Sequence, residues 1–318
     1  MAKKKNEHGK ILVAGSVAFD VVFELTSRIR DQVNIKNGKA ARQIMMFTAK
    51  AKEEFRGGTA GNITYGLSLL GAKPILFSVA GKDFSGEYGT HLTALGVDVR
   101  VYIDKEGFTA TYYGMTDHLG DQVGVWQPNT YGEHAGRVAL GTVLDKNESE
   151  KIDVAIFAAG TPDSTISHME QLRTLNKRAK IIFDPGQSLA ALYNRAKFGH
   201  ALNLCDIFIG NDVEVRYAKK YLNFNFKDAL TKGKTVIETR GESGSVIHEK
   251  NGIEKIPADK PKKVVDTTGA GDAYRSGLLF GLSRGLGLVE SAKIGSKVAA
   301  KCIEFVGAQQ YLLTNFKK

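Results

Sequence analysis

Short apolar runs at 11–14, 75–79, 154–158, 181–183, 207–209 and 236–237 are the feature that most constrains this chain. Each is strand-sized, and none shows the strict alternation of a strand with one wet face. Between them lie stretches with apolar residues three and four apart, such as Ile63, Leu67 and Leu70, or Ile166, Met169 and Leu172. That spacing places one apolar stripe on a helix. Strands buried on both faces, with helices between them, predict a doubly wound, mainly parallel α/β sheet covered on both sides.

Two segments break this rhythm. Residues 20–56 are polar and lysine-rich, and residues 98–127 alternate in polarity through Val99, Val101 and Ile103, then 109–115, then 122–126. Lys105-Glu-Gly107 and His118-Leu-Gly-Asp121 read as hairpin turns. The expected organisation is a main domain of residues 1–19, 57–97 and 128–318, with 20–56 and 98–127 forming a small β-sheet lid. A lid suits such a sheet because ligands bind outside the carboxyl ends of parallel strands. An exposed edge of the lid sheet could also pair between two copies as a homodimer.

Glycine reaches 35 of 318 residues with only 6 prolines, which points to tight turns and close backbone approaches rather than linkers. The net charge of +10 attracts phosphates in general. Part of it lies in the lysines of the 1–5 tail, and part in Lys36, Lys39, Arg42, Lys50 and Lys52, which read as a solvated face. No zinc-finger spacing or aromatic-and-basic repeat supports nucleic-acid binding. Cys205 and Cys302 sit apart in apolar stretches, as suits a reducing compartment. No apolar run approaches the roughly 18 residues of a membrane span. The expectation is a cytoplasmic protein.

The strongest chemical signal is Asp266-Thr-Thr-Gly-Ala-Gly-Asp272, with Val264-Val265 expected as a strand end and a helical pattern following through Leu278 and Leu279. Gly269, Ala270 and Gly271 then open a helix, where unpaired amides and the positive dipole end favour an anion. Asp272, in the first turn, is placed to accept a proton from a hydroxyl attacking phosphorus. Arg275, three residues on, could reach the transferring phosphoryl oxygens. The plainer reading is that Asp272 complements the dipole and pairs with Arg275. Position 274 is Tyr274, so no dinucleotide fingerprint is present, and Asp228 breaks the P-loop resemblance at Gly233-Lys-Thr235.

Weaker signals accompany it. Arg56-Gly57-Gly58-Thr-Ala-Gly-Asn62 opens a second helix, with Asn62 able to donate to and accept from a sugar hydroxyl. Ser16 and Asp20 follow the first strand, and Asp20 could bind vicinal hydroxyls or simply form a turn. Asn211-Asp-Val-Glu214 fits a capping box, and Glu214 could also act through water on Mg²⁺. Thr239-Arg240-Gly241-Glu-Ser-Gly244 is either a hairpin connection or a nucleotide-phosphate contact. Phe108, Tyr112 and Trp126 are packing residues or a stacking surface. No HExxH, His/Cys cluster or GxSxG elbow is found.

As a pair, Gly57-Gly-x-x-Gly-Asn62 and Asp266-Thr-x-Gly-Ala-Gly-Asp272 resemble the two signatures of the ribokinase-like (PfkB-type) kinases, in order and spacing, over nearly the whole chain. Phe108-Thr-Ala110, Phe183-Asp-Pro-Gly-Gln187, Gly271-Asp-Ala-Tyr-Arg275 and Val306-Gly-Ala-Gln309 look most like the bacterial adenosine and nucleoside kinase branch. The resemblance implies that Asp272 is the base and that the 269–271 amides hold the phosphoryl group. It implies that Asp20, Gly58 and Asn62 bind the acceptor ribose, with Ser16, Gly57, Phe108 and Ala110 beside it. Asn211 and Glu214 would serve phosphate and Mg²⁺. Thr239, Arg240, Gly241 and Gly244 would line the ATP site, and Ser296 to Ala300 would flank adenine. Some members bind a monovalent cation, such as K⁺, near the residues matching Asp266 and Thr268.

The function expected is ATP-dependent phosphorylation of the 5′-hydroxyl of adenosine or a related ribonucleoside. The alternatives are a ribose- or fructose-type sugar kinase and, from another class, a non-catalytic nucleoside-binding protein. An intact Asp272 weighs against the binder, which needs no base.

Overall fold

The computed structural model describes residues 9–32, 35–36, 39–40 and 45–314. The 1–5 tail, Arg42 and the side chains of Lys36 and Lys39 lie outside the described residues. All six apolar runs form strands of one nine-stranded sheet. From one edge the order is Gly252–Ile256, Ser245–Glu249, Thr235–Thr239, Ile207–Asn211, Lys180–Phe183, Ile152–Phe157, Lys10–Ala14, Ile75–Gly81 and Asp98–Asp104. Seven of these run parallel, and the first two add an antiparallel meander at the edge. The order reverses at Lys10–Ala14, which has Ile152–Phe157 on one side and Ile75–Gly81 on the other. A crevice opens beyond the carboxyl ends of strands at such a switch.

Successive strand residues feed opposite faces, so the sheet separates two cores. Ile11, Val13, Val154, Ile156 and Ile237 face one side. There they meet Ile63 and Leu67 of helix Thr59–Leu69, Leu278 of helix Ala270–Ser283 and Val298 of helix Leu288–Cys302. Leu12, Ala14, Ala155, Phe157 and Val236 face the other. There Met169 and Leu172 of helix Pro162–Leu175, Phe198 of Arg195–Leu204 and Val215 of Asp212–Tyr221 cover them. No helix among the described residues is long and apolar enough to cross a membrane.

The lid is a four-stranded sheet in the order Ala49–Gly57, Ala18–Leu25, Ala110–Thr116, Gln122–Gln127. It is mixed: Ala18–Leu25 and Ala110–Thr116 run parallel, while the other pairs are antiparallel. Lys50 pairs with Glu24 at 2.5 Å, so part of the basic run balances the lid's own acids.

Two expectations change. Residues 98–104 belong to the main sheet, where they pair with Ile75–Gly81; the turn at 105–107 therefore leads from sheet to lid and closes no hairpin. Val99, Val101 and Ile103 pack against the first core while the opposite face is wet, so an edge strand alternates just as a lid strand does. Val264 and Val265 form no strand and stay exposed, at 64% and 43%.

Helices Ala270–Ser283 and Leu288–Cys302 cross closely because a Cβ on Gly277 would lie 2.6 Å from Gly295 Cα. Gly277→Ala forces the backbones apart and should lower unfolding free energy by about 1–3 kcal/mol. Gly199, on a helix with nothing within 4 Å of its would-be Cβ, should respond oppositely to Ala, gaining about 0.4–1 kcal/mol. Urea unfolding of the two variants checks both signs.

Candidate active site

Two helix starts meet at the switch point, and each needs a glycine. Gly58, before helix Thr59–Leu69, has φ +81°, and a Cβ there would lie 2.6 Å from Ala18 N and 2.7 Å from Ser16 O. The close approach lets Ser16 O accept the Ala60 N–H at 3.0 Å, tying the loop after the first strand to the helix. Gly269, before helix Ala270–Ser283, sits left-handed at φ +77° with its Cα face against Ala308. No side chain caps this helix. Within the expected anion hole, the Ala270 N–H is already committed to Thr267 O at 3.2 Å, so Gly269 and Gly271 are the better candidates for a ligand.

Asp272 lies in the first turn, partly exposed. Burial pushes its carboxyl up to about 7, opposed by the hydrogen bond from Asn62 and by Arg275, and reinforced by Asp184 and Asp20. Asn62 Nδ2 donates to Asp272 Oδ2 at 2.8 Å, joining positions far apart in the chain. Asp20, on lid strand Ala18–Leu25, is also raised by burial, to about 6. Gly57 leaves room for that carboxylate, since a Cβ there would collide with it. Asp20 is therefore a strand residue facing the site, and the Asx turn is excluded.

Arg275 corrects both readings of it. Its guanidinium is buried, donates to both oxygens of Asp184 with the Nη2–Oδ1 bond at 2.8 Å, and returns Nη1 to Gly271 O at 3.1 Å. It neither pairs with Asp272 nor presents itself to a phosphoryl group; it fastens the helix start to the end of strand Lys180–Phe183. The fork of five donors spans a carboxylate and a carbonyl at once, which a helix-face argument from sequence does not reveal.

On the other side of the helix start, Asn211 and Glu214 form the capping box, with Glu214 N–H to Asn211 Oδ1 and Asn211 N–H to Glu214 Oε2 both at 2.8 Å. Burial raises the Glu214 carboxyl, reinforced by Asp184. Thr239 ends its strand, and residues 240–244 make the connection to the antiparallel strand Ser245–Glu249, with Gly241 and Gly244 at positive φ. The reading as a hairpin connection holds. Arg240 turns to Glu238 at 2.8 Å. It lines a cavity of about 900 Å³ on the side of helix Asp212–Tyr221, with Lys219, Phe226 and His248, and none of Asp20, Asn62 or Asp272 lines that cavity. Ser296 and Ala300 are buried, and Ser296 Oγ is used by Pro257 O at 3.0 Å and the Asp259 N–H at 2.7 Å. Asp266 accepts from the Thr268 N–H at 2.9 Å and the Gly307 N–H at 2.8 Å, holding two loops together.

Phe108 is exposed at the base of the lid with Lys82 Nζ 4.6 Å from its ring centre. Ala110 is fully buried and packs with Ala18, Val79 and Tyr131. Sequence reasoning missed Tyr88 and Asp184 as participants and gave Gln309 no role. Asp184 and Gln309 lie in segments 183–187 and 306–309 that carry the family resemblance, without a role of their own there, while the signal for Tyr88 was chemical type alone, a polar side chain on the buried face of a helix.

Removing one partner of the buried Asp184–Arg275 pair strands the other charge. Asp184→Asn and Arg275→Met should each cost about 3–5 kcal/mol, while the double variant should recover much of the loss. Urea unfolding of the cycle checks this.

Residues 25–315 match the pfkB family of carbohydrate kinases. The chain is 31% identical over 309 residues to a nucleoside kinase of Methanothermobacter thermautotrophicus, covering 96% of this chain and 92% of that one. It is 38% identical over 294 residues to an ATP-dependent 6-phosphofructokinase of Thermoanaerobacterium thermosaccharolyticum, covering 82% and 83%. The structure of a Burkholderia thailandensis nucleoside kinase in complex with inosine superposes with a TM-score of 0.78 at 28% identity, covering 95% of this chain and 93% of that one. With its doubly wound sheet, its small β lid and paired glycine helix starts, this chain belongs to the pfkB family of carbohydrate kinases and is a phosphotransferase with a hydroxyl acceptor.

Proposed function

We propose that this kinase transfers the γ-phosphoryl group of ATP to the 5′-hydroxyl of adenosine or another ribonucleoside. The observation that carries the reading is a desolvated carboxylate, Asp272, held by Asn62 beside the glycine-opened start of a helix. Nucleoside kinase relatives spanning nearly the whole chain, one with inosine bound, support the acceptor class.

In this reading Asp20 and Asn62 hold the ribose hydroxyls, and Gly57, Gly58 and Ser16 shape the floor beneath them. The exposed Phe108 ring offers the base a flat apolar face. Asp272 takes the proton of the attacking hydroxyl, and the Gly269 and Gly271 amides meet the charge on the transferring oxygens. Thr239, Gly241 and Gly244 border the triphosphate, while Ser296 and Ala300 back the segment 257–259 where adenine would lie. Glu214 spends Oε2 in its capping box, which leaves Oε1 for a water of Mg²⁺, an ion that keeps several waters and takes few carboxylates. When bound with ATP, that ion neutralises charge on the phosphates. Asp266 and Thr268 are the place for a monovalent cation such as K⁺. Closing the lid excludes water. The enzyme would work in the cytoplasm, and a second copy would add at the lid strand Gln122–Gln127, exposed along its length.

The 6-phosphofructokinase likeness favours one rival, a sugar kinase using the same base. Coupled ADP release across nucleosides and free or phosphorylated sugars decides: turnover on nucleosides is expected, and turnover on sugars alone overturns the proposal. Asp272→Asn should lower kcat by about 10²–10⁴-fold with little change in the KM for ATP. Because Asp272 must be ionised to accept the proton, kcat/KM for the acceptor should fall as pH drops below about 7. A profile flat down to pH 5 would remove Asp272 as the base.

A further inference from the structure

The polarity of the hydrogen bonds behind Asp272 can be read from one end to the other. Gly57 O is a backbone carbonyl and can only accept, and Tyr88 OH donates to it at 2.6 Å. With its one hydrogen used, the Tyr88 oxygen must accept from its other neighbour, Gln309 Nε2, at 2.7 Å. Burial holds the Tyr88 hydroxyl protonated, well above the ordinary tyrosine range, so this direction does not reverse. The second hydrogen of Gln309 Nε2 goes to Asn62 Oδ1 at 2.9 Å. Asn62 is thereby turned so that its Nδ2, and not its oxygen, faces Asp272 at 2.8 Å.

Gln309 is 4% exposed, and its Oε1 has no partner among the described residues. A buried acceptor left empty is costly; the side chain is held here for its two donors. The turn that carries it is locked to the anion loop, since the Gly307 N–H donates to Asp266 and Ala308 abuts Gly269. At the far end, Gly57 closes the lid strand Ala49–Gly57, and the Tyr88 ring packs on Phe19 of the neighbouring lid strand at 5.7 Å.

We propose that Gln309 is a positioning residue for the base: with Tyr88 it relays the donor direction set by the lid-hinge carbonyl of Gly57 through Asn62 to Asp272. The relay rests on Asp272 being the base of the proposed reaction, but the orientation of Asn62 does not depend on which acceptor is phosphorylated. With Gln309 unable to donate, the Asn62 amide is free to turn its oxygen toward Asp272. An ionised carboxylate facing an oxygen is repelled, so the protonated form gains. In the Gln309 variant the other groups facing Asp272 are unaltered: Asp20 from the lid, Asp184 beyond its strand, Arg275 on the same helix, Tyr88, Cys302 and Tyr311; in the Tyr88 variant only the Tyr88 hydroxyl is lost from this set.

The experiment compares unaltered protein, Gln309→Met and Tyr88→Phe. Tyr88→Phe keeps the ring packing and provides the reading should the methionine variant fail to fold. The first readout is the carboxyl-carbon NMR titration of Asp272, assigned through Asp272→Asn, which needs no substrate. The midpoint should rise by about one unit in either variant. The second is the pH profile on whichever acceptor the unaltered enzyme phosphorylates. The acid limb should move up with it, giving a loss of about fivefold at pH 7 that recovers toward pH 9, with the KM for ATP unchanged. A merely structural role lowers activity equally at every pH. An Asp272 midpoint unchanged in the folded variants overturns the relay. If the unaltered enzyme turns over no nucleoside, the proposed acceptor falls while the titration still decides the relay.

Discussion

A carboxylate stripped of most of its water is stable as an anion only where something replaces that water. Here the replacement is one amide, Asn62 Nδ2, set against Asp272 at 2.8 Å. It is insufficient to restore an ordinary aspartate: despite the Asn62 bond and the Arg275 charge, burial still leaves the carboxyl near 7. Desolvation therefore wins over hydrogen bonding, by a margin that poises the group between its two forms at neutral pH. An aspartate at its ordinary value near 3.9 would be a weaker base. The bond also unites the two glycine-opened helix starts, so both are held in one frame.

That frame depends on elements doing structural work that resembles chemistry. Arg275 was the natural candidate for a phosphoryl contact, yet it is buried against Asp184 and Gly271 O. Its contribution is to fix where the helix begins, and hence where Asp272 and the Gly269 and Gly271 amides point. The Asn211–Glu214 pair is similar: the capping box is present, and it still leaves one carboxyl oxygen of Glu214 free. A residue in such a cleft can be read wholly as scaffold and keep a second capacity.

The sheet was legible because its strands are buried on both faces. Continuous apolar runs at 11–14 or 207–209 have few other fates, and both became parallel strands. Legibility failed where burial is one-sided. Residues 98–104 alternate because they edge the main sheet, and alternation alone cannot separate that from a lid hairpin. The two glycine motifs announced the site, since Gly58 and Gly269 occupy conformations and approaches that a side chain would forbid. Tyr88, Asp184 and Gln309 were silent as participants: each acts through a partner distant in sequence, and no local pattern encodes such a pairing.

The site also explains why two aspartates can share one cleft. Burial raises both carboxyls above the ordinary range, and the Asp20 charge raises that of Asp272 further. Such a pair resists carrying two negative charges while the cleft is open to no ligand. In the proposed reaction a sugar with vicinal hydroxyls would relieve Asp20 by donating to it, as a hydrogen bond to the charged form favours that form. Ionising Asp20 would in turn oppose ionisation of Asp272, and positive charge near the Gly269 and Gly271 amides would favour it. The lid strand Ala18–Leu25 carries Asp20 into this arrangement, so under the proposed function the state of Asp272 would be tied to acceptor, donor and lid together. In the proposed reaction such coupling would disfavour proton abstraction from water while only one substrate is present, the condition under which ATP would otherwise be wasted.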